Sequence, residues 1–350
     1  MRIPESVDVL VIGAGPAGCA AAIAAGSRGV RTMLVDRKTR PGVPVRCGEY
    51  VPLLLRGEWN LPDEAAARRT ESLFLTLPDG SEREIRAPGI VLNRDIMNDV
   101  LVKRAEDSYV VLCRGCKFMN FEEPGIALIR SDREYRVRCR IIIAADGARS
   151  RVARCSGLEL PVSYMAMQEV VEMENPVESA RIYFYSRMRM GYGWLFPKGN
   201  HANMGVAADF KSAGPMRNSL AMFKDHMSRL KLINPSSRSG RIAGLVPAHG
   251  PVEIMGRDNI LLAGDAAGQV DPVTGAGIMH ALRSGDLAGT VAADSVNSGN
   301  ENQAGQIYEK KWKKLCGGYF ERAVKRRTEL DKSWNEDLNN AILKAWKLKA

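Results

Sequence analysis

The chain has 350 residues, 45% of them hydrophobic and 26% charged, which is the balance of a soluble globular protein large enough for two packed domains. Its 50 Lys and Arg against 40 Asp and Glu give a formal net charge of +10, which suits an anionic partner such as a phosphate group or a membrane surface. No basic block is interleaved with aromatic residues, so we expect no nucleic-acid partner.

The cysteine pattern argues against both a disulfide framework and a metal centre. Seven cysteines, an odd number, occur at irregular spacings, which favours a reducing, cytoplasmic location. Cys113 and Cys116 lie three residues apart, but no second such pair of cysteines follows at the spacing that a zinc site requires, so we expect no metal. His201, His249 and His280 are isolated, and we expect each at the surface or in a loop, without a catalytic role.

Residues 7–36 read as a strand, a glycine turn, a helix and a second strand. The run around the turn is uncharged, but GAGPAG in its middle suits a turn and not a membrane-spanning helix. In this G-x-G-x-x-G pattern, Gly13 would allow the tight turn, Gly15 the approach of a pyrophosphate, and Gly18 the packing of the helix on the strand. Asp36 ends the second strand, where its carboxylate could accept a hydrogen bond from a ribose hydroxyl. The unit predicts dinucleotide binding.

Three further motifs follow before residue 150. PVRCGEYVP brings C-G-E at residues 47–49 soon after the second strand. VLNRDIMNDVLVKRA predicts a helix that begins near Arg94. The apolar strand in CRIIIAADGARS ends in Asp146-Gly147, a second place where a strand runs into an acidic residue and a glycine.

Residues 158–245 show the alternation of an antiparallel sheet. In GYGWLFPK, Tyr192, Trp194 and Phe196 alternate, so on a strand their rings share one face. Three rings on one face would form the apolar wall that a long hydrocarbon chain needs. The alternative is that these rings are ordinary core residues of the sheet.

A second glycine-rich turn follows the predicted strand at residues 260–263. There, GD and then DPVTGAGIMHAL predict a turn, a loop and a helix. Pro272 and Gly275 would shape the loop, and Gly277 would let the backbone approach a ring closely. The helix that begins near Ile278 would direct its positive end at the loop and stabilise negative charge on a ligand.

The last sixty residues are predicted to be helical and basic. Gly317-Gly318 interrupts this segment at a cost of about 1 kcal/mol per glycine relative to alanine. Two apolar stripes follow the helical period, and they are Tyr308, Trp312, Leu315, Tyr319 and Val324, then Trp334, Leu338, Ile342 and Trp346. These stripes either lie on anionic lipid or pack on the body of the protein, with the lysines in solvent.

The glycine turn, the central D-G and the late G-D together resemble the FAD-dependent oxidoreductases related to p-hydroxybenzoate hydroxylase. The resemblance implies FAD as the cofactor, Asp265 near its ribityl-pyrophosphate region, and Arg94 facing it. It also implies an α/β fold, in which a Rossmann-like FAD-binding domain carries an antiparallel-sheet substrate domain and a helical C-terminal tail. The implied cofactor-binding residues are Gly13, Gly15, Ala17, Gly18, Asp36, Arg37, Cys47, Gly48, Arg94, Asp146, Gly147, Gly264, Asp265, Pro272, Gly275, Gly277 and Ile278.

The C-G-E, Y-x-W-x-F-P and DPVTGAGI motifs narrow this resemblance to the geranylgeranyl reductase family, over about Val7 to Arg283. It implies hydride transfer from reduced flavin N5 to isoprenoid C=C bonds, such as those in geranylgeranyl chains of archaeal-type glycerophospholipids. Water or one of the catalytic residues would donate the proton, and NAD(P)H or a ferredoxin would reduce the flavin. The implied catalytic residues are Cys47, Glu49 and Tyr192, and the implied substrate-binding residues are Tyr192, Trp194, Phe196 and Pro197.

We therefore predict a discontinuous FAD-binding domain at residues 1–157 and 246–290, a substrate sheet at 158–245, and a helical tail at 291–350. A prenylated lipid would be the substrate, and the chain would be cytoplasmic or peripheral to the cytoplasmic face of a membrane. The alternatives are an FAD-dependent aromatic or quinone monooxygenase, and a non-catalytic prenyl-binding or electron-transfer flavoprotein.

Overall fold

A computed structural model describes residues 3–188, 191–209, 215–237 and 240–348. In chain order, its strands are β1 (Ser6–Ile12), β2 (Thr32–Asp36), β3 (Tyr50–Pro52), β4 (Ala66–Thr76), β5 (Glu82–Leu92), β6 (Val111–Arg114), β7 (Lys117–Glu123), β8 (Ile126–Arg130), β9 (Glu134–Ala144), β10 (Ser163–Glu172), β11 (Ala180–Tyr183), β12 (Tyr192–Lys198), β13 (His201–Ala208), β14 (Ile242–Pro247), β15 (Gly256–Arg257) and β16 (Ile260–Leu262). The helices are α1 (Pro16–Gly26), α2 (Leu54–Glu58), α3 (Arg94–Asp107), α4 (Arg151–Cys155), α5 (Met216–Arg229), α6 (Ile278–Ser298), α7 (Ala304–Trp312), α8 (Gly318–Lys332) and α9 (Leu338–Ala345).

The chain divides into two compact units, and the predicted α/β fold class is confirmed. The predicted domain boundaries differ from these units, because β3, β4 and β5 join the sheet of the second unit, and the helical tail is divided after Ala323. The first unit comprises the described residues of Met1–Val43, Asn98–Val162 and Pro247–Ala323, and the second those of Pro44–Met97, Ser163–Val246 and Val324–Ala350.

The first unit is built on a sheet in the order β15-β16-β9-β1-β2-β6, which β8 and β7 extend from β9. Strands β1, β2, β6, β9 and β16 run parallel. Helices α1 and α6 cross in direct backbone contact. They are so close that Cβ atoms on Gly285 and Gly289 would overlap the carbonyl oxygens of Ala17 and Ala21. Small residues on both helices therefore allow this close approach, which brings the start of α6 near the glycine turn.

The second unit is built on a sheet in the order β14-β10-β13-β12-β11-β4-β5-β3. Strands β10 and β13, β13 and β12, β12 and β11, β4 and β5, and β5 and β3 pair antiparallel, whereas β11 and β4 run parallel. Helix α5 packs on one face, where Phe223 and Met227 join a buried cluster with Leu195 and Met204. Leu195 lies between Trp194 and Phe196 on β12, so the aromatic side chains of this strand point to the opposite face.

The C-terminal segment corrects the predicted first stripe. Tyr308 and Trp312 of α7 are buried, as the packing alternative required, but Leu315 is 71% exposed and Tyr319 is 37% exposed. A π-helical turn at Lys313–Gly317 is the cause, because it inserts an extra residue and moves the buried position to Phe320. The second stripe packs within its own unit, where Trp334 is buried and its Nε1 donates to the carbonyl oxygen of Ser186 at 3.3 Å.

In the described part of the chain, no helix combines the length and the apolar character needed to cross a bilayer. The same residues contain no group of three or more His, Cys, Asp or Glu side chains arranged to hold a metal ion.

Candidate active site

The carboxyl ends of four parallel strands meet at one edge of the first unit's sheet. Ile12 of β1 pairs with Val35 of β2 and Ala144 of β9, and Leu262 of β16 pairs with Ala144. The glycine turn, the predicted ribose acid, the D-G pair and the G-D pair each end or follow one of these strands. Open parallel sheets bind ligands at this edge, so motifs far apart in the sequence converge on one candidate cofactor site.

The glycine turn leaves room where a pyrophosphate would need it. Gly13 has φ +101°, in the left-handed region that favours glycine. A Cβ on Gly18 would overlap the carbonyl oxygen of Gly13, whereas a Cβ on Gly15 would meet nothing within 4 Å. Gly15 therefore borders open space at the N-terminus of α1. Ala17 is buried, and its Cβ would lie 2.9 Å from a Cβ on Gly264.

Asp36 holds the two ends of its turn together. Its Oδ2 accepts from the backbone N–H of Ala14 and its Oδ1 from that of Lys38, both at 2.8 Å. The buried Asn98, which the sequence analysis missed, donates from Nδ2 to the carbonyl oxygen of Ala14 at 3.2 Å. The sequence signal that could have pointed to Asn98 was its position one helical turn after Arg94, on the same face of the predicted helix. Arg37, also predicted to bind the cofactor, is exposed.

Asp146 has one carboxylate oxygen committed and one that fits a ligand. Its Oδ2 accepts from the backbone N–H groups of Arg151 and Val152, at the start of α4. Its Oδ1 is buried and has no hydrogen-bond partner within the described ranges. Burial raises the pKa of this carboxyl group. Asp146 adjoins the glycine turn, since a Cβ on Gly13 would lie 3.0 Å from its Cα. A buried acceptor without a partner at this place fits a ligand with hydroxyl or amino donors such as FAD.

The G-D turn is fixed from behind by residues that the motif did not reveal. The backbone N–H of Gly264 donates to Gln269 Oε1 at 2.7 Å and to the Ser284 hydroxyl at 3.2 Å. The amide Nε2 of Gln269 donates in turn to the Tyr308 hydroxyl at 3.0 Å. Gln269 and Tyr308 are fully buried, so α7 supports the turn through one side chain.

The loop that follows closes on itself before α6 begins. The backbone N–H of Gly275 donates to the carbonyl oxygen of Asp271 at 2.8 Å, and the N–H of Asp271 donates to that of Ala276 at 3.0 Å. Gly275 has φ +68°, so glycine suits this turn. Pro272 is buried, and Gly277 is the residue before Ile278, where α6 begins.

In the second unit, Glu49 is the centre of a buried network. Its side chain is 4% exposed and its φ is +71°, an unusual value for a residue other than glycine. Its Oε1 accepts from the backbone N–H of Arg94 at 2.9 Å. Its Oε2 accepts from Lys198 Nζ at 2.8 Å and from Asn203 Nδ2. The carboxylate therefore ties the C-G-E turn to α3 and to two strands of the sheet.

Three strand residues that sequence reasoning missed hold this turn. Gln168 Nε2 donates to the carbonyl oxygen of Cys47 at 2.9 Å, and Asn203 Nδ2 donates to that of Gly48 at 3.2 Å. The backbone N–H of Glu49 lies 3.3 Å from Cys47 Sγ and donates to it. Lys198 is the third of these residues, and it follows the Y-x-W-x-F-P motif directly. That position was the only sequence signal for Gln168, Asn203 or Lys198.

The C-G-E turn lies against the aromatic residues of β12. A Cβ on Gly48 would come 3.0 Å from the Phe196 ring and 3.4 Å from Trp194 Nε1, so this position has no room for a larger side chain. Trp194 and Phe196 stack with ring centroids 6.4 Å apart, and Tyr50 lies 5.3 Å from Phe196. Two of the three motifs that carried the family resemblance, C-G-E and Y-x-W-x-F-P, are thus adjacent within one unit.

Tyr192 continues the aromatic row toward the C-terminal segment. Its ring centroid lies 6.3 Å from that of Trp194 and 6.1 Å from that of Trp346. Pro197 is buried next to Phe196 on the same strand. Residues 324–348 therefore contribute to the aromatic side of the second unit, which the division into a separate tail did not anticipate.

The chain is similar to known flavoproteins over most of its length. Residues 8–43 match the FAD dependent oxidoreductase family, and residues 96–285 match the FAD binding domain family. It is 35% identical to digeranylgeranylglycerophospholipid reductase 1 of Methanopyrus kandleri, over 90% of this chain and 88% of that protein. It is 30% identical to digeranylgeranylglycerophospholipid reductase of Methanocaldococcus jannaschii, over 97% of this chain and 90% of that protein.

The chain belongs to the digeranylgeranylglycerophospholipid reductase family. It is an FAD-dependent oxidoreductase, as the resemblance implied. A geranylgeranyl bacteriochlorophyll reductase-like protein of Thermoplasma acidophilum has a similar structure, with a TM-score of 0.85 and 27% identity, over 97% of this chain and 96% of that one. The myxobacterial chondrochloren halogenase CndH shares the fold alone. Its TM-score is 0.73 and its identity 16%, over 98% of this chain and 97% of that one.

Proposed function

We propose that this reductase saturates C=C bonds in the geranylgeranyl chains of a glycerophospholipid. The observation that carries the proposal is the 35% identity to a digeranylgeranylglycerophospholipid reductase over nine-tenths of the chain. The aromatic row of β12 supports it, because rigid rings offer apolar area to a hydrocarbon chain without many flexible side chains. Each saturation adds a hydride and a proton across one C=C bond, and the bound reduced flavin supplies the hydride.

The chain's own residues would hold the substrate and deliver the proton. Glu49 acts as an anchor in this proposal and not as the acid, because its oxygens accept hydrogen bonds from Arg94, Lys198 and Asn203. Cys47, Tyr192 and a water molecule remain as proton donors. The position of Cys47 is fixed by Gln168 through its carbonyl oxygen and by the Glu49 N–H at its sulfur. Arg94 as a cofactor contact stays a prediction.

The activity is tested by anaerobic reaction of the chemically reduced protein with a geranylgeranylated glycerophospholipid. We expect mass spectrometry to find lipid products that have gained hydrogen atoms in pairs, together with reoxidation of the flavin absorbance. A fully saturated lipid is the control and should leave the flavin reduced. An oxygen-dependent hydroxylated product would indicate the monooxygenase alternative, and no change in any prenyl lipid would contradict the proposed reaction.

The electron donor is a nicotinamide cofactor or a ferredoxin-like protein in this proposal. Anaerobic mixing of the oxidised protein with NADPH, NADH or reduced ferredoxin, followed by flavin absorbance, distinguishes them. Only the physiological donor should bleach the flavin within the turnover time of lipid reduction.

We also propose that the π turn contacts an anionic membrane surface. Leu315 is 71% exposed there, and its neighbours are Lys313 and Lys314. An open groove of about 530 Å³ lies nearby along α7, and its lining includes Ile254, Arg257 and Lys313. Each basic residue close to an anionic surface is worth about 1 kcal/mol, and inserting an exposed leucine adds to this.

Leu315→Glu should weaken binding to phosphatidylglycerol vesicles on the order of tenfold in a sedimentation assay, because burial of a leucine is worth about 1.5–3 kcal/mol. The matched control is Leu54→Glu, since Leu54 is 77% exposed on α2 without flanking lysines. Equal loss in both variants, or equal binding of the native protein to phosphatidylcholine vesicles, would count against this surface.

A further inference from the structure

The π turn has a second consequence, which concerns Tyr319. In an uninterrupted α-helix, residues 308 and 319 would differ by only about 20° around the axis, so Tyr319 would share the buried stripe of Tyr308. The extra residue of Lys313–Gly317 turns Tyr319 away, and Phe320 takes the buried position instead. Single π turns inside helices occur frequently at functional sites.

The displaced Tyr319 reaches the loop that follows the G-D turn. Its hydroxyl donates to Asp271 Oδ2 at 2.6 Å, a short distance that is typical of a bond to a charged oxygen. Asp271 is only 1% exposed, and its Oδ1 accepts from the backbone N–H groups of Val273 and Thr274, both at 2.9 Å. One carboxylate therefore organises the loop on one side and meets Tyr319 on the other.

The ring of Tyr319 is held independently of its hydroxyl. His280, in the first turn of α6, lies with its ring centroid 5.1 Å from that of Tyr319 and 4.9 Å from that of Phe320. This corrects the expectation that His280 would lie at the surface or in a loop. Burial lowers the pKa of His280, so the imidazole is neutral at physiological pH and serves as a packing surface.

The loop lies beside the G-D turn, at the edge of the sheet where FAD is expected to bind. A Cβ on Gly277 would come 3.6 Å from Asp265 Oδ1, so the end of the loop adjoins the G-D turn at the ligand-binding edge. A buried carboxylate in a loop beside the FAD site would disfavour the addition of electrons to the flavin, since the reduced flavin is the more negative form. A hydrogen bond from a tyrosine offsets part of that charge.

We propose that Tyr319 is a positioning residue of the flavin site, which holds the Asp271 loop and moderates the negative charge that this loop presents to FAD. The proposal depends on FAD binding but not on which substrate is reduced. The role is distinct from that of Tyr308, which supports the G-D turn through Gln269.

The test is the midpoint potential of the bound flavin, measured by anaerobic reductive titration against a reference dye. Tyr319→Phe should lower the potential by about 30 mV, which for a two-electron couple corresponds to tenfold weaker binding of reduced relative to oxidised FAD. Asp271→Asn should raise the potential instead, because it removes the charge while its oxygen can still accept from the loop amides. In the double variant, Tyr319→Phe should add nothing to Asp271→Asn.

Tyr109→Phe is the matched control, because Tyr109 belongs to the same unit and is 92% exposed. Its potential should equal that of the native protein. An unchanged potential in Tyr319→Phe, or in Asp271→Asn, would overturn the proposal. Failure of Tyr319→Phe to fold would also overturn it, since the ring contacts with His280 and Phe320 do not require the hydroxyl. All of these outcomes are read without a lipid substrate, so they are independent of the proposed reaction.

Discussion

Replacing Gly15 with alanine is expected to give a folded protein that no longer retains FAD. A Cβ at this position meets nothing within 4 Å, and the backbone there has φ −77°, which alanine adopts readily. The added methyl would instead occupy the space that the pyrophosphate needs at the N-terminus of α1. We expect FAD affinity to fall about a hundredfold, which corresponds to about 2.7 kcal/mol, in a titration followed by flavin fluorescence.

The companion variant Gly18→Ala should fail in a different way. Here the Cβ would overlap the carbonyl oxygen of Gly13, so backbone must move against backbone and both stability and FAD binding should fall. Gly57→Ala is the control, since a Cβ there also meets nothing and Gly57 lies in α2 of the other unit. Normal FAD affinity in Gly15→Ala would contradict the assignment of the turn to the pyrophosphate.

Replacing Glu49 with glutamine is expected to be the most damaging change in the second unit. The new amide would direct its NH₂ group toward the donors of Lys198 and Asn203, or toward the N–H of Arg94. Removal of one partner of a buried ion pair typically costs about 3–5 kcal/mol, and partial exposure of Lys198 places our expectation near the lower end. Chemical unfolding should register this loss, and lipid reduction should fall with it because the Cys47 turn is released.

Two comparisons separate the charge from the backbone at this position. Glu49→Gly loses the carboxylate but suits φ +71°, so it should be about 1 kcal/mol more stable than Glu49→Ala. Lys198→Met leaves the buried carboxylate without its cation and should destabilise as well. Glu71→Gln, at an exposed strand position, should change nothing. Full stability in Glu49→Gln would mean that the network is not the anchor of the turn.

The sequence by itself predicted the backbone of the candidate cofactor site. Gly13, Gly15, Gly18 and Asp36 lie in one continuous strand–turn–helix–strand segment, where spacing alone fixes the geometry of the turn. The aromatic alternation of β12 was equally local, because residues two apart on a strand must share a face. The first segment predicted dinucleotide binding, and the family resemblance of the glycine, D-G and G-D motifs implied the fold class and an FAD-dependent oxidoreductase. Fold class and family are both confirmed.

Only the tertiary structure decided which distant side chains complete the site. Gln168, Asn203 and Lys198 reach the C-G-E turn from three strands, although more than a hundred residues separate them from it, and no local pattern encodes such a register. The tail shows the same limit, since helical periodicity placed Tyr319 in one stripe with Tyr308, and a single π turn moved it onto Asp271. Local spacing specifies backbone shape, whereas the partners of a buried polar group depend on how separate elements pack.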